Sequence, residues 1–134
     1  MDKEVLIDAN ILLEIFLKDQ KSEQCKSFLR SLKDKGIDPL ITDFLIYGCL
    51  LIIQSDIKDP KSLQNFLIFI DDNDFRILRP SMETCYYATE VMKETGLDFD
   101  DGLVVACMKK YRIKELVSFD KHFDKVKEIK RIVP

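Results

Sequence analysis

The expected fold is set by residues 4–17, which read Glu4-Val-Leu-Ile-Asp-Ala-Asn-Ile-Leu-Leu-Glu-Ile-Phe-Leu17. The apolar run at the start predicts a short buried strand, and Asp8 follows where that strand ends. Beyond Asn10 the apolar side chains recur at helical spacing, which predicts an amphipathic helix. A strand that passes at once into a helix is the opening unit of an α/β protein.

The rest of the chain repeats this alternation. Strands are predicted at residues 39–42, 75–78 and 115–118, with an edge strand at 129–133. Helices are predicted at residues 22–35, 44–54, 60–71 and 81–94, and another is entered through residues 97–101. Such alternation predicts a three-layer, Rossmann-like α/β fold, a mostly parallel sheet of four to five short strands flanked by helices. No linker or repeat interrupts the pattern, so residues 1–134 are predicted to form a single domain.

The composition is typical of a globular protein. Of 134 residues, 46% are apolar and 34% are charged, which suffices for a core and a hydrated surface. The longest apolar run, residues 44–53, contains Gly48 and is far shorter than a membrane span. Because the first strand begins almost at the N-terminus, no signal peptide is predicted, and we expect a cytoplasmic protein that does not contact membrane.

The cysteine pattern argues against a zinc site. The four cysteines stand at positions 25, 49, 85 and 107 without a CxxC pair, and the one histidine is His122. Zinc sites need several closely spaced nitrogen or sulfur ligands. We therefore expect structural cysteines and a surface histidine.

Charge is unevenly distributed along the chain. The net charge is −3, which by itself argues against a nucleic-acid binder. Residues 109–134, however, hold nine Lys and Arg against four acids, a local balance of +5 that leaves −8 for the rest. A basic end on an acidic body can bring phosphates to an acidic site. Ordinary solvated helix and strand faces explain any single lysine equally well.

Aspartates fall at the predicted strand ends and helix starts, namely Asp8, Asp43, Asp100, Asp101 and Asp120. Ligands of parallel sheets bind beyond the carboxyl ends of the strands, so these carboxylates are predicted to share one edge. Crowded carboxylates repel unless a cation neutralises them, and all-oxygen ligation suits Mg²⁺ or Mn²⁺. Such a site can activate water against a phosphodiester. Helix capping or a turn explains each aspartate as well, and that alternative stays open.

Three segments resemble the PIN domain family. They are Val5-Leu-Ile-Asp-Ala-Asn-Ile-Leu-Leu13, Asp100-Asp-Gly-Leu-Val-Val-Ala106 and Leu116-Val-Ser-Phe-Asp-Lys-His-Phe-Asp124. The last is the most specific, and together they extend the resemblance over essentially the whole chain. The length is similar to that of the small stand-alone VapC-type members. The resemblance implies a Mg²⁺- or Mn²⁺-dependent ribonuclease for single-stranded RNA, the toxin of a toxin–antitoxin pair. An antitoxin partner and a homodimer are implied as well.

The resemblance also implies roles for particular residues. Asp8, Asp101 and Asp120 would bind the metal and be catalytic, and Asn10 would orient Asp8 or a metal-bound water. The supporting residues would be Ser118 as a hydrogen-bond partner of the acids, Asp124 as support for the loop, and Asp98 and Asp100 as additional charges.

One departure from the family pattern concerns the helix after the second strand. PIN domains usually carry a glutamate inside it, and here that position falls near Tyr47 or Gly48. Asp43 lies more than one helical turn earlier, so it can act as a fourth acid only if the helix entry bends toward the site. Loss of a carboxylate should weaken metal binding. The alternative is therefore a degenerate PIN domain that binds RNA or protein with weak or no catalysis.

Two phosphate-handling classes also place an aspartate after the first strand. A haloacid-dehalogenase-like phosphatase would need a second acid where this chain has Asn10. A response-regulator receiver would need an aspartate after its third strand, where Leu78 is followed by Arg79. The sequence disfavours both.

Overall fold

The computed structural model describes residues 3–134, which are built around a five-stranded parallel sheet. The strands are β1 (Glu4–Ile7), β2 (Asp38–Thr42), β3 (Arg76–Leu78), β4 (Glu115–Val117) and β5 (Lys130–Ile132). Their order across the sheet is β3-β2-β1-β4-β5. This confirms the predicted α/β class, the parallel sheet and the strand at its edge.

Helices fill the connections between the strands. They are α1 (Ala9–Phe16), α2 (Ser22–Asp34), α3 (Asp43–Asp56), α4 (Pro60–Asp72), α5 (Met82–Thr95) and α6 (Phe99–Lys110), with a short 3-10 helix at Lys121–Lys125. The bounds of α2 to α5 agree with the sequence-based bounds to within two residues, and α6 begins within the predicted entry at residues 97–101. None of the helices between residues 3 and 134 combines the length and apolar character that crossing a membrane requires.

The helix caps decide which strand-end aspartates are explained by capping. Asp8 is the N-cap of α1, and its Oδ1 accepts from the Ala9 backbone N–H at 2.8 Å. Asp120 caps the 3-10 helix in the same way. Asp101 and Asp100 instead lie inside the first turn of α6. Capping therefore explains two of the aspartates and leaves this pair unexplained.

Thr42 is the N-cap of α3, because its Oγ1 accepts from the Leu45 backbone N–H at 3.2 Å. Capping of α3 therefore does not explain Asp43, which is the first residue of that helix. Because the Thr42 hydroxyl is the cap, the Asp43 side chain does not serve as the cap and can make another contact.

The sheet separates two apolar layers. Along β1, Val5 and Ile7 are buried against α1 to α4, whereas Leu6 is buried against α5 and α6. Successive side chains of a strand point to opposite faces, so one continuous apolar run can serve both layers. This is the predicted three-layer arrangement.

The order of the connections sets β1 and β4 apart from the other strands. From β1 the chain moves outward through β2 to β3, then crosses to β4 on the other side of β1. Leu6 pairs with Leu116 and Ile7 with Val117, so the residues that follow the two strands emerge side by side. This change of direction is the topological switch point where α/β proteins bind ligands.

Close packing against α5 fixes the position of the first turn of α6. A Cβ atom at Gly102 would lie 3.1 Å from the Ala88 carbonyl oxygen and 3.1 Å from Met92 Cγ. Only glycine lets the two helices approach this closely without a shift. Asp101, the preceding residue, is positioned by this contact.

The cysteines behave as structural residues. All four are free thiols, and Cys25, Cys49 and Cys107 are buried. Burial raises the pKa of the Cys49 thiol to about 12, and those of Cys25 and Cys107 to about 11. Thiols with such pKa values stay protonated and unreactive at neutral pH.

Candidate functional site

Asp8 lies at the switch point and is held by both adjoining strands. Its backbone N–H donates to the Val117 carbonyl oxygen at 3.0 Å, which extends the pairing of β1 with β4. Its side chain is nearly buried, and Oδ2 accepts a 2.6 Å hydrogen bond from Ser118 Oγ. The Ala9 N–H fixes the other oxygen, so the carboxylate has one orientation.

Asn10 and Ser118 tie the residues that follow β1 to those that follow β4. Asn10 Nδ2 donates to Ser118 Oγ at 3.2 Å and to Asp8 Oδ2 at 3.4 Å. Asn10 Oδ1 accepts from the Phe119 backbone N–H at 3.3 Å. Ser118 Oγ also accepts from the Asp120 backbone N–H at 3.0 Å, so its one donor and both acceptor positions are used. These contacts suit the orienting roles expected of Asn10 and Ser118.

Two further carboxylates approach from α6 and from the end of β4. Asp101, Asp120 and His122 each offer one ligand atom, and these atoms lie within 4.8 Å of one another. Both carboxylates are half-buried, whereas the histidine is exposed. The structure thus brings together residues that are far apart in the sequence.

Burial and mutual repulsion disfavour the charged forms of Asp8 and Asp101, which with Asp120 form the carboxylate cluster of this site. Burial raises the pKa of Asp8 above its ordinary value, and the charges of Asp120 and Asp100 add to the shift against opposing hydrogen bonds. Burial also raises the pKa of Asp101 to about 6, with repulsion from Asp100, Asp120 and Asp8 adding to it. The nearby His122 ring offsets a part of that repulsion.

This donor set fits a hard divalent cation. Carboxylate oxygens are the preferred ligands of Mg²⁺ and Mn²⁺, and a dication would relieve the repulsion that raises the pKa of Asp101. Asp101 and Asp120 are the carboxylates within reach of one ion, and the charge of Asp8 acts on both of them.

Asp43 is placed apart from this cluster. Its Oδ2 lies 3.7 Å from Arg79 Nη1, in a contact between the start of α3 and the segment after β3. Among residues 3–134, the group of metal-ligand atoms around Asp101 and Asp120 does not include Asp43. That group does not include Asp8 either, but the charge of Asp8 raises the pKa of Asp101, whereas Asp43 is not among the charges that do so.

Asp124 supports the loop indirectly. Its two oxygens accept from Arg131 Nε at 2.8 Å and Nη2 at 3.1 Å, a bidentate pair. Arg131 Nη1 also donates to the Ser118 carbonyl oxygen at 3.1 Å. The pair therefore joins β5 and the 3-10 helix to the residue that contacts Asp8.

The remaining predicted acids lie at the rim. Asp98 is an exposed N-cap of α6 without a side-chain capping bond. Asp100 is exposed, and its charge reaches both Asp8 and Asp101. The expected contribution of charge is therefore supported for Asp100.

The resemblance to PIN domains places a glutamate near Tyr47 or Gly48, and there is free space around both positions. Tyr47 points outward with 54% of its surface exposed. A Cβ atom at Gly48 would meet no other atom within 4 Å. The next residue, Cys49, is buried with its Sγ 3.9 Å from the Ala9 carbonyl oxygen, so this part of α3 runs beside the start of α1.

Three site residues carried no specific signal in the sequence. His122 lies at the surface as expected, and its ring also contacts Asp120. Arg131 contacts Asp124 and Ser118. Lys21 Nζ lies 4.3 Å from the centre of the Phe119 ring. Each contact depends on the packed fold, and a motif with regular spacing could not have revealed it.

Fold and site together define a class, an α/β protein with a carboxylate cluster at the switch point of a parallel sheet. The PIN domain model matches residues 5–129, so this chain belongs to the PIN domain family. A curated relative, Ribonuclease VapC6 of Methanocaldococcus jannaschii, is 25% identical over 143 aligned positions that cover 91% of this chain and 92% of that protein.

Solved structures share the fold at low sequence identity. VapBC2 of Rickettsia felis, bound to a DNA fragment from its promoter, gives a TM-score of 0.77 at 16% identity, covering 97% of this chain and 98% of that one. VapC20 of Mycobacterium tuberculosis, a toxin that cleaves the sarcin–ricin loop, gives 0.74 at 13% identity, covering 92% and 95%. These likenesses support the fold.

The raised pKa of Asp101 predicts how the metal-free protein responds to pH. Between pH 4 and about 6 the folded state keeps a proton that the unfolded state has released, so stability should fall as pH rises through this window. Asp101→Asn should flatten the fall and stabilise the metal-free protein at pH 7 by about 1 kcal/mol, a value reduced because the side chain is partly solvated.

Thermal unfolding in EDTA at several pH values measures this effect. Asp98→Asn is the matched control, because it changes an exposed aspartate at the start of the same helix. If wild type and Asp101→Asn lose the same stability as the pH rises, the raised pKa of Asp101 is not the cause of the loss.

Proposed function

We propose that this protein is a Mg²⁺- or Mn²⁺-dependent ribonuclease of the VapC type that cuts single-stranded RNA. The observation that supports this most directly is that Asp101 and Asp120 lie within reach of one ion at the switch point of a PIN fold, where the charge of Asp8 adds to their repulsion. The ribonuclease relative from Methanocaldococcus jannaschii supports the reaction class.

In the proposed mechanism Asp101 and Asp120 would hold the cation, and Asp8 would present a fixed carboxylate near them. When bound, the ion would neutralise charge on the phosphodiester and lower the pKa of a water molecule. Asn10 and Ser118 keep Asp8 in one orientation, because both donate to its Oδ2. Preorganisation of this kind avoids rearrangement at the moment of reaction.

A cation near the cluster suits an anionic substrate. Lys21 lies over the Phe119 ring, and Phe119 stands between Ser118 and Asp120 in the chain. An exposed ammonium held on an aromatic face of this segment can contact a phosphate of the RNA. The basic residues near the C-terminus would contact further phosphates along the RNA.

An antitoxin is proposed as a protein partner. A groove of about 490 Å³ between α1, α2 and α4 has an apolar floor that includes Phe16, Leu29 and Phe69, with Lys26 and Arg30 among its lining. Such a groove suits an amphipathic segment with acidic residues. Co-purification with the product of an adjacent small gene tests this, and a Leu29→Glu variant that still binds that product would contradict the groove.

A homodimer is proposed as well. Leu51 and Ile52 on α3, and Leu67 and Ile68 on α4, are exposed apolar side chains. Neighbouring apolar side chains of this kind are typical of protein interfaces. Light scattering of the purified chain measures the assembly, and a monomer at high micromolar concentration would count against it.

RNA cleavage with and without metal tests the proposed activity. Purified protein should cut end-labelled single-stranded RNA in Mn²⁺ or Mg²⁺, and EDTA should stop the reaction. Because water rather than a ribose hydroxyl would attack, the products should lack 2′,3′-cyclic phosphate ends. Cleavage that persists in EDTA would contradict the proposal.

The alternative function is RNA or protein binding with weak or no catalysis, which the open position at Gly48 favours. A protein that retains RNA in a gel-shift assay, but cuts none of a broad RNA library in Mn²⁺, would support this alternative over the nuclease.

A further inference from the structure

His122 is held against one of the cluster carboxylates by two contacts. Its backbone N–H donates to Asp120 Oδ1 at 2.9 Å, and its ring Nδ1 lies 3.0 Å from the same oxygen. The next residue, Phe123, is fully buried and anchors the 3-10 helix. The imidazole is therefore exposed to solvent on a fixed backbone.

The spacing of the three groups suits ligands of one ion. Metal–ligand bonds of about 2.0–2.2 Å put neighbouring ligand atoms about 3 Å apart and opposite ones slightly more than 4 Å apart. The 3.0 Å separation of Nδ1 from Asp120 Oδ1 matches neighbouring ligands. Asp101 places an oxygen within 4.8 Å of both, a distance that a small side-chain rotation can close.

We propose that His122 is a nitrogen ligand of the divalent cation, giving an Asp101–Asp120–His122 centre that prefers Mn²⁺ to Mg²⁺. Imidazole nitrogen binds transition-metal ions well, whereas Mg²⁺ favours oxygen ligands and retained water. The inference rests on the proposed function for the presence of a metal, and it adds the ligand that sets which metal is preferred.

The competing role of His122 is a hydrogen bond from the ring to Asp120 without a bond to the ion. In that case the imidazole would only position the carboxylate, and its removal would change affinity for both ions alike. A measurement that detects nitrogen bound to the metal separates the two roles.

Pulsed electron paramagnetic resonance of Mn²⁺ bound to the full, untagged chain provides that measurement. His122 is the single histidine, so an imidazole ¹⁴N coupling has no other source in the chain. The coupling should be present in wild type and absent in His122→Gln. By titration calorimetry this variant should lose about fivefold to tenfold in Mn²⁺ affinity and less than twofold in Mg²⁺ affinity.

Lys121→Gln is the matched control, because it alters the neighbouring exposed residue of the same 3-10 helix. It removes a positive charge, so it should bind Mn²⁺ no more weakly than wild type. Bound Mn²⁺ without nitrogen coupling would overturn the role of His122 and leave the nuclease proposal intact. Absence of Mn²⁺ binding by the wild type would overturn both.

Discussion

Asp8→Asn is expected to lower metal-dependent RNA cleavage by about a hundredfold to a thousandfold while the protein stays folded. Asp8 is the best-fixed carboxylate of the site, with hydrogen bonds from Ala9 and Ser118. An amide cannot supply the negative charge that the cation and the reacting phosphate require. The substitution therefore removes charge without removing volume.

The effect of Asp8→Asn on stability should be small because two contributions oppose each other. Removal of a buried charge is favourable, as the raised pKa of Asp8 indicates. Against this, the new amide NH₂ group faces the Asn10 amide and the Ser118 hydroxyl, which already accepts two hydrogen bonds. Circular dichroism and the thermal midpoint measure the net result.

Asp38→Asn is the matched control for the cleavage measurement. Asp38 is an exposed aspartate at the opposite end of the sheet, where β2 begins. It should cleave RNA at the wild-type rate. Wild-type cleavage by Asp8→Asn, prepared in the same way, would contradict the catalytic role of Asp8.

The edge where the site forms could be predicted from the sequence. Asp8 and Asp120 each follow an apolar run, and parallel strands carry such residues to one edge. Pairing of Leu6 with Leu116 then sets Asp8 beside Ser118. Helix capping and a place in the site do not exclude each other. Asp8 and Asp120 both cap helices, and their charges also act on Asp101.

Side-chain direction beyond the strand ends could not be predicted. Asp43 lies after β2 as expected, but its contact is Arg79, which is distant in the sequence. Arg131 reaches Asp124 and Ser118 only because β5 pairs with β4 in one register. Position along a strand fixes the edge on which a residue emerges, whereas packing of the following segment fixes where its side chain points.

Gly48→Glu is expected to raise Mn²⁺ affinity by about tenfold or more and to increase cleavage. A side chain at Gly48 has open space, and the adjacent Cys49 thiol is close enough to the cluster for the Asp8 charge to contribute to its raised pKa. A glutamate inside α3 also favours the helix by about 0.5–1 kcal/mol relative to glycine. Without metal, repulsion from Asp8 should cancel part of that gain, so the stabilisation should be larger when Mn²⁺ is present.

Two variants isolate the charge and its position. Gly48→Gln gives the same length and a similar helix preference without the charge, so it should stabilise the helix and leave Mn²⁺ affinity unchanged. Tyr47→Glu places the carboxylate on an exposed side chain of the same turn and should not raise affinity either. Calorimetry of all three with Mn²⁺ decides the matter. If Gly48→Glu binds Mn²⁺ no better than Gly48→Gln, a carboxylate from this part of α3 does not reach the ion. The missing glutamate would then not explain weak cleavage of RNA.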